Sequence, residues 1–275
     1  MPEWPTIFVS ILCGVMPAAG GLSYEPAQPM IQADQEQINA MLEAAQDGHV
    51  SAMRDWAIHQ MHQSERPEAL HEAVWWFDQA ARNGDLEASH QLALLMLAGR
   101  GTPRDESAAF ALWDYAARAG HIDAMYYLAR CHQSAQGTCG HPGRAAMWFR
   151  RAAEAGHAGS MAAWGRCLFD GRGTTRDDQG AVSWWRRAAA QGDADAMAGM
   201  AVASISGRGL QRDPASAAMW WRRAAEHGSP LAMVMTSAYL EMGRGVPQDR
   251  VAAEQWYVKA VYHPSPALTA HVTTP

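Results

Sequence analysis

The residues best suited to chemistry lie in one stretch of eleven, Cys131-His132-x6-Cys139-x-His141. Two thiols and two imidazoles are ligand types that zinc accepts, provided that four of them converge tetrahedrally. Cys131 and His132 are adjacent on a predicted helix, so their side chains point about 100° apart, which argues against a shared ion. Two interpretations remain beside zinc: a Cys131–Cys139 disulfide, which requires an oxidising compartment, and unpaired thiols.

Other catalytic motifs are missing from the sequence. Residues 71–75 read HEAVW, with Trp where a HExxH zinc protease has its second histidine. Lys259 is the only lysine, no Ser-x-x-Lys or Gly-x-Ser-x-Gly occurs, and the Gly-Arg-Gly segments lack the lysine of a phosphate-binding loop. The net charge is −6 without a basic run, which disfavours nucleic acid as a partner. We predict no enzymatic activity, no cofactor and no metal.

A repeat of 36 residues positions these side chains. Glycines recur at that interval at Gly48, Gly84, Gly120, Gly156, Gly192 and Gly228. Before each glycine stands a small pair such as Ala188-Ala189, and before that, in most copies, an aromatic pair such as Trp184-Trp185. Several columns with one period predict a repeat protein.

Each unit is predicted to contain two helices. In the clearest copy a first helix at 194–206 is followed by the turn Gly207-Arg208-Gly209, which supplies residues free to adopt positive φ. Asp213 is a suitable N-cap, and Pro214 fits the first helical position. The second helix covers 214–227, and Gly228 ends it.

The predicted architecture is therefore an all-α solenoid over residues 35–264. A half repeat at 35–48 precedes full repeats at 49–84, 85–120, 121–156, 157–192, 193–228 and 229–264. Helices this short are marginal alone, so stacking must stabilise them.

The two ends differ from the repeats. Residues 1–34 include an uncharged apolar run at 6–16, too short to span a bilayer. This run is interpreted either as the core of a signal peptide, which implies export to the periplasm, or as an arm that covers the first repeat in a cytoplasmic protein. No lysine or arginine precedes Arg54, which weakens the signal-peptide interpretation. Residues 265–275 are predicted to be a disordered tail.

The pattern A-x3-[small]-x5-G-x-G-x3-D-x3-A-x2-W-[WYF]-x2-A-A-x2-G, over residues 37–262, resembles the Sel-one-like repeat family, relatives of the tetratricopeptide repeat. Repeat three departs from it, with Ala135 for the first turn glycine and His141 for the acid. The resemblance implies a right-handed α/α superhelix that serves as a scaffold for partner proteins. It also implies a bacterial protein, since the bacterial members of that family include periplasmic and secreted proteins.

By analogy with tetratricopeptide stacks, the first helices line the concave face, and we predict a monomer that binds a protein or peptide there. The predicted partner-binding residues are Arg54, His90, Tyr126, Arg130, Gln133, Arg166, Phe169, Val202 and Ile205. Tyrosine and arginine are frequent at the energetic centres of protein interfaces. In the alternative interpretation, Arg130 and Arg166 pair with Asp123 and Asp195 across repeats.

A second functional hypothesis is an enzyme, or a protein that binds a small molecule or metal, centred on the irregular third repeat. It requires a closed pocket that holds His132, Cys139 and His141 together, whereas an open groove favours the scaffold.

The remaining columns have structural interpretations. The tryptophans are predicted to pack between repeats, and the histidines after repeat-ending glycines, His49, His121 and His157, to be turn residues. The doublets Arg150-Arg151, Arg186-Arg187 and Arg222-Arg223 either form a basic ladder for an acidic partner or cover the convex face and cap helix C-termini.

Overall fold

A computed structural model describes residues 28–62 and 67–262 of the chain. That part contains thirteen α-helices and no strand: α1 Gln28–Gln46, α2 Val50–His62, α3 Pro67–Arg82, α4 Leu86–Ala98, α5 Glu106–Arg118, α6 Ile122–Ser134, α7 Pro142–Glu154, α8 Ala158–Asp170, α9 Asp178–Ala190, α10 Ala194–Ser206, α11 Pro214–Glu226, α12 Pro230–Met242 and α13 Arg250–Tyr262. Helix α1 precedes six repeats, each a first helix with an even number and a second helix with an odd one. The predicted α/α solenoid is confirmed.

Side-chain caps set the helix starts. The Asp213 carboxylate accepts a hydrogen bond from the Ala215 amide at 2.9 Å and so begins α11, as predicted. In repeat three His141 replaces this acid, and its Nδ1 accepts from the Arg144 amide at 3.2 Å. An imidazole therefore serves as the N-cap of α7, and the departure in sequence leaves the cap in place.

The turn of repeat three is also retained. Ala135 adopts φ 61°, the left-handed conformation that Gly207 adopts in repeat five with φ 71°. Ala135 ends α6 with its amide donating to the Cys131 carbonyl. A left-handed alanine is disfavoured by its Cβ, so the surrounding repeats must impose this turn.

Small and aromatic columns form the packing between repeats. The side chains of Ala188 and Ala224 are fully buried, and Trp113, Trp185 and Trp221 are buried as well. The predicted packing role of these residues is confirmed. The second helix of each of the first five repeats contacts the first helix of the next repeat.

The first helices of repeats four and five lie on the inner side of the stack. Helices α8 and α10, the first helices of repeats four and five, contact each other directly, whereas no two successive second helices among the described residues make comparable contact. Elements that approach one another more closely lie on the shorter side of a curved solenoid.

Two sequence predictions concern residues that the structure does not describe. The apolar run at 6–16 and the predicted tail at 265–275 lie outside the described residues, and α1 begins at Gln28, seven residues before the predicted start at 35. Within the described part, no helix has the length and apolarity needed to cross a membrane.

Candidate functional site: a polar groove on the first helices

A groove of about 260 Å³ crosses the first helices of repeats three, four and five. Its lining includes Tyr126, Arg130 and Gln133 from α6, Gly159 and Arg166 from α8, and Asp195 from α10. Spacings of three and four residues place the α6 side chains on one helical face. We call this site the central groove.

Tyr126 is held by a cluster of rings. Its ring centroid lies 4.8 Å from that of His157 and 5.9 Å from that of Phe149, which forms part of the groove lining. The Arg130 guanidinium lies 5.8 Å from the centroid of the same ring, within range of a cation–π contact. The half-buried Tyr126 ring is therefore held in place by contacts within this chain.

Arg130 and Arg166 make no ion pair among the described residues, and both are exposed at the groove. The predicted alternative, in which Asp123 and Asp195 neutralise them, is not formed. The Asp123 carboxylate instead lies 3.5 Å from the His157 Nε2, and Asp195 is exposed in the groove lining. Two guanidinium groups are thus available to a ligand.

Three other predicted residues lie away from the central groove. Arg54 is used within the stack, because its Nη1 donates to Asp85 at 2.9 Å and its Nη2 to Asp55 at 3.1 Å. Val202 is exposed and Ile205 is half-buried, both on α10. Of the nine predicted residues, the groove contains Tyr126, Arg130, Gln133 and Arg166.

His90 and Phe169 require a correction, since the structure buries both. The His90 Nδ1 accepts a hydrogen bond from the Trp113 indole at 3.1 Å, and its ring stacks on His121 at 5.2 Å. The Phe169 ring centroid lies 5.1 Å from that of Trp185 and 3.6 Å from the Arg208 guanidinium. Neither side chain presents area to a partner.

The Cys/His stretch does not form a common site. Cys131 is buried and Cys139 is exposed, and both are free thiols rather than a disulfide. Burial raises the pKa of Cys131 to about 11, which keeps this thiol protonated at neutral pH. His132 is buried while His141 is exposed, and burial lowers the pKa of His132. Among the described residues, no group of three or more potential ligands is placed to hold a metal.

Two of the three histidines after the repeat-ending glycines, His121 and His157, are N-caps, a role that the sequence analysis missed, whereas the His49 Nδ1 lies 3.1 Å from the Ala44 carbonyl oxygen. The Nδ1 atoms of His121 and His157 accept from the amides of Ala124 and Ser160 at 3.1 and 3.0 Å. Aspartates in the same column of other repeats, such as Asp85, were the available signal. Burial lowers the pKa of His157, which favours the neutral ring that a cap requires.

Arg208, the middle residue of the repeat-five turn, also escaped prediction. Its guanidinium donates to both Asp178 carboxylate oxygens, at 2.7 and 3.2 Å, and to the Phe169 carbonyl. Together with hydrogen bonds from Arg176, these contacts hold the pKa of Asp178 far below its usual range. Arg208 thus joins repeats four and five through side-chain hydrogen bonds.

Comparisons agree with this architecture. The family model described as Sel1 repeat matches residues 50–85, 86–121, 122–157, 158–193, 194–229 and 230–263. No curated protein gives a significant match.

Solved structures share the fold. A protective antigen of uropathogenic Escherichia coli with an SLR fold, c5321, is 27% identical with a TM-score of 0.73, over 82% of this chain and 48% of its own. The chain thus spans about half the length of that antigen. A Sel1 repeat protein from Oxalobacter formigenes is 25% identical with a TM-score of 0.67, over 75% and 82%. The immunity protein PA5088 from Pseudomonas aeruginosa, 18% identical with a TM-score of 0.52 over 80% and 88%, shares the fold alone.

Proposed function

The chain belongs to the Sel1 repeat family, and we propose that it is a scaffold whose central groove binds a segment of a partner protein. Sel1 repeat proteins are generally protein-interaction scaffolds, and their solenoid is typically non-enzymatic. The observation that carries the proposal is the pair Arg130 and Arg166, neither of which has an ion pair among the described residues, beside Tyr126 in one open groove.

The chemistry of the groove suits a peptide better than a small substrate. Tyr126 offers apolar area, Arg130 and Arg166 offer planar hydrogen-bond donors for carboxylates or carbonyls, and Gln133 offers an amide. In contrast, His132 is buried while Cys139 and His141 are exposed, so the three enclose no common pocket. That arrangement disfavours the alternative of an enzyme or metal-binding protein at repeat three.

The test is a pull-down from the native host, followed by titration of the purified partner. Tyr126→Ala with Arg166→Ala is expected to weaken binding at least tenfold. The control is Arg118→Ala with Arg150→Ala on second helices, where each arginine pairs with an acid of its own helix. The proposal fails if the control pair abolishes capture and the groove pair leaves it intact.

A further inference from the structure

The second helices contain an arginine column in which one member lacks its counter-ion. Arg150 pairs with Glu154 at 2.8 Å, and Arg222 pairs with Glu226 at 3.0 Å, each four residues on along its helix. Arg186 occupies the same column, but the residue four positions on is Ala190. Among the described residues, Arg186 makes no ion pair.

A second arginine column, in the turns, also has one member without an acidic partner. Arg104 pairs with Glu106, and Arg176 pairs with Asp178 through two hydrogen bonds of 2.9 and 2.7 Å, two residues on in both cases. Arg212 occupies the equivalent position in repeat five, where proline follows two residues later. Within the described part of the chain, Arg212 has no acidic partner either.

These two unpaired arginines line the same cleft. It has a volume of about 550 Å³ between α9, α10 and α11 and shares no lining residue with the central groove. Its lining includes Arg186, Gln211, Arg212, Asp213, Ser216 and Trp220. We call it the repeat four–five cleft. Two acids that pair with the equivalent arginines in other repeats are thus replaced here by Ala190 and Pro214.

The one carboxylate in the lining is engaged elsewhere. Asp213 accepts from the Ala215 amide at 2.9 Å and from the Ser216 hydroxyl at 2.6 Å, as the N-cap of α11. These hydrogen bonds lower the pKa of Asp213, so it remains ionised and offsets one of the two positive charges. The repeat four–five cleft keeps an excess of one positive charge and two guanidinium groups with free donors.

The equivalent cleft one repeat further on has neither feature. There Arg222 is paired with Glu226, and Gln248 stands in the position of Arg212 and donates to the Glu241 carbonyl at 2.7 Å. The lining there includes Lys259, whose ammonium lies 4.5 Å from the Trp256 ring centroid, but no arginine without an acidic partner among the described residues. The two unpaired guanidinium groups of the repeat four–five cleft are therefore a property of these particular residues rather than of the fold.

We propose that the repeat four–five cleft is a second binding site, which takes the carboxylate side chains of an acidic segment of a partner protein. The partner's carboxylates form ion pairs with Arg186 and Arg212. The equivalent arginines of the other repeats form such pairs with acids of this chain. Charge complementarity selects the ligand, since arginine binds carboxylates through paired hydrogen bonds. The site is independent of the central groove.

The test uses isotope-labelled full-length protein titrated with the blocked peptide acetyl-Gly-Glu-Glu-Glu-Gly-amide, its glutamine analogue, and inorganic phosphate. We expect the glutamate peptide to shift the resonances of residues around Arg186 and Arg212. Its dissociation constant, measured from those shifts, is expected to be at least tenfold lower than that of the glutamine peptide. Equal binding of the two peptides, or binding of phosphate alone, overturns the proposal.

Substitutions that restore the internal pairs give the sharper test. Ala190→Glu with Pro214→Glu supplies both missing carboxylates within the chain and is expected to reduce peptide affinity at least tenfold. Ala190→Gln with Pro214→Gln has the same size without charge and is expected to retain binding. Arg118→Gln with Arg150→Gln, whose arginines pair with acids of their own helices, is expected to leave it unchanged. If the glutamate variants bind as tightly as the wild type, or if the Arg118 and Arg150 variant abolishes binding, the site is wrongly assigned.

Discussion

Gly137 lies directly against the Glu106 carbonyl of the preceding repeat, so that a Cβ added to Gly137 would be 2.1 Å from that oxygen. The second glycine of the other turns makes the same approach, as in Gly209 against the Asp178 carbonyl. This column therefore sets the spacing between repeats. The first glycine of each turn serves only the local backbone conformation.

The first prediction separates these two roles. Gly137→Ala and Gly171→Ala change residues with nearly equal φ, 66° and 67°, but a Cβ at Gly171 would meet its nearest atom at 3.4 Å. We expect Gly171→Ala to cost about 1–2 kcal/mol from its left-handed conformation. Gly137→Ala is expected to cost about 1–3 kcal/mol more through the clash between repeats.

Urea denaturation of the two variants measures the difference. Equal midpoints for Gly137→Ala and Gly171→Ala would show that the second glycine has no role between repeats.

The second prediction concerns the left-handed alanine. Ala135→Gly relieves a conformational cost of about 1–2 kcal/mol, while glycine adds about 0.5–1 kcal/mol of backbone entropy to the unfolded chain. The net expectation is a stabilisation of about 0.5–1 kcal/mol, seen as a rise in thermal midpoint. A fall in the midpoint would show that the Ala135 methyl makes a contact worth more than the strain.

Periodicity was sufficient to predict the helices and the turns. A 36-residue period with Asp213, Pro214 and Gly228 in register predicted α11 to within one residue, because caps and breakers act locally. Even the departures at Ala135 and His141 left the fold unchanged, since neighbouring repeats impose the geometry.

Side-chain accessibility was harder to predict. His90 and Tyr126 occupy the same column, yet His90 is buried and Tyr126 is half-buried in the groove lining. The difference arises from contacts distant in sequence: Trp113, 23 residues away, donates to His90, whereas the same column beside Tyr126 contains Phe149, which has no N–H to donate. The repeat column of a residue determines the position of its backbone, but the neighbouring side chains determine how much of its own side chain is exposed.

The third prediction is a loss of stability in mild acid. Burial lowers the pKa of His90, His132 and His157 in the folded state, with Asp123 and Asp193 opposing the shift at His157. The unfolded chain therefore binds protons more readily, and stability that is present above about pH 6.5 is lost as the pH falls through the lowered pKa values.

His157→Asn tests the contribution of one cap. Asparagine caps a helix without a titrating group, so the variant is expected to lose less stability than the wild type between pH 7 and 5. The measurement is the urea midpoint at each pH. An unchanged pH dependence would remove His157 from the explanation.

The final prediction concerns the fit of Trp185. Its indole N–H donates to the Ala162 carbonyl at 3.0 Å, and a Cβ at Gly199 would lie 2.5 Å from its Cε2. One repeat earlier the same two columns contain Phe149 and Ala163. The larger ring is thus matched by the smaller residue on the facing helix.

Gly199→Ala is therefore expected to destabilise the protein by about 1–3 kcal/mol through overpacking, although alanine favours a helix interior by about 1 kcal/mol. Gly143→Ala, where the nearest atom is 3.5 Å away, is the control and is expected to be neutral or slightly stabilising. Combining Gly199→Ala with Trp185→Phe recreates the Phe149–Ala163 pair. In a double-mutant cycle, the alanine should cost far less beside phenylalanine than beside tryptophan. If its cost is the same in both backgrounds, the two residues are not coupled and the size match does not specify this junction.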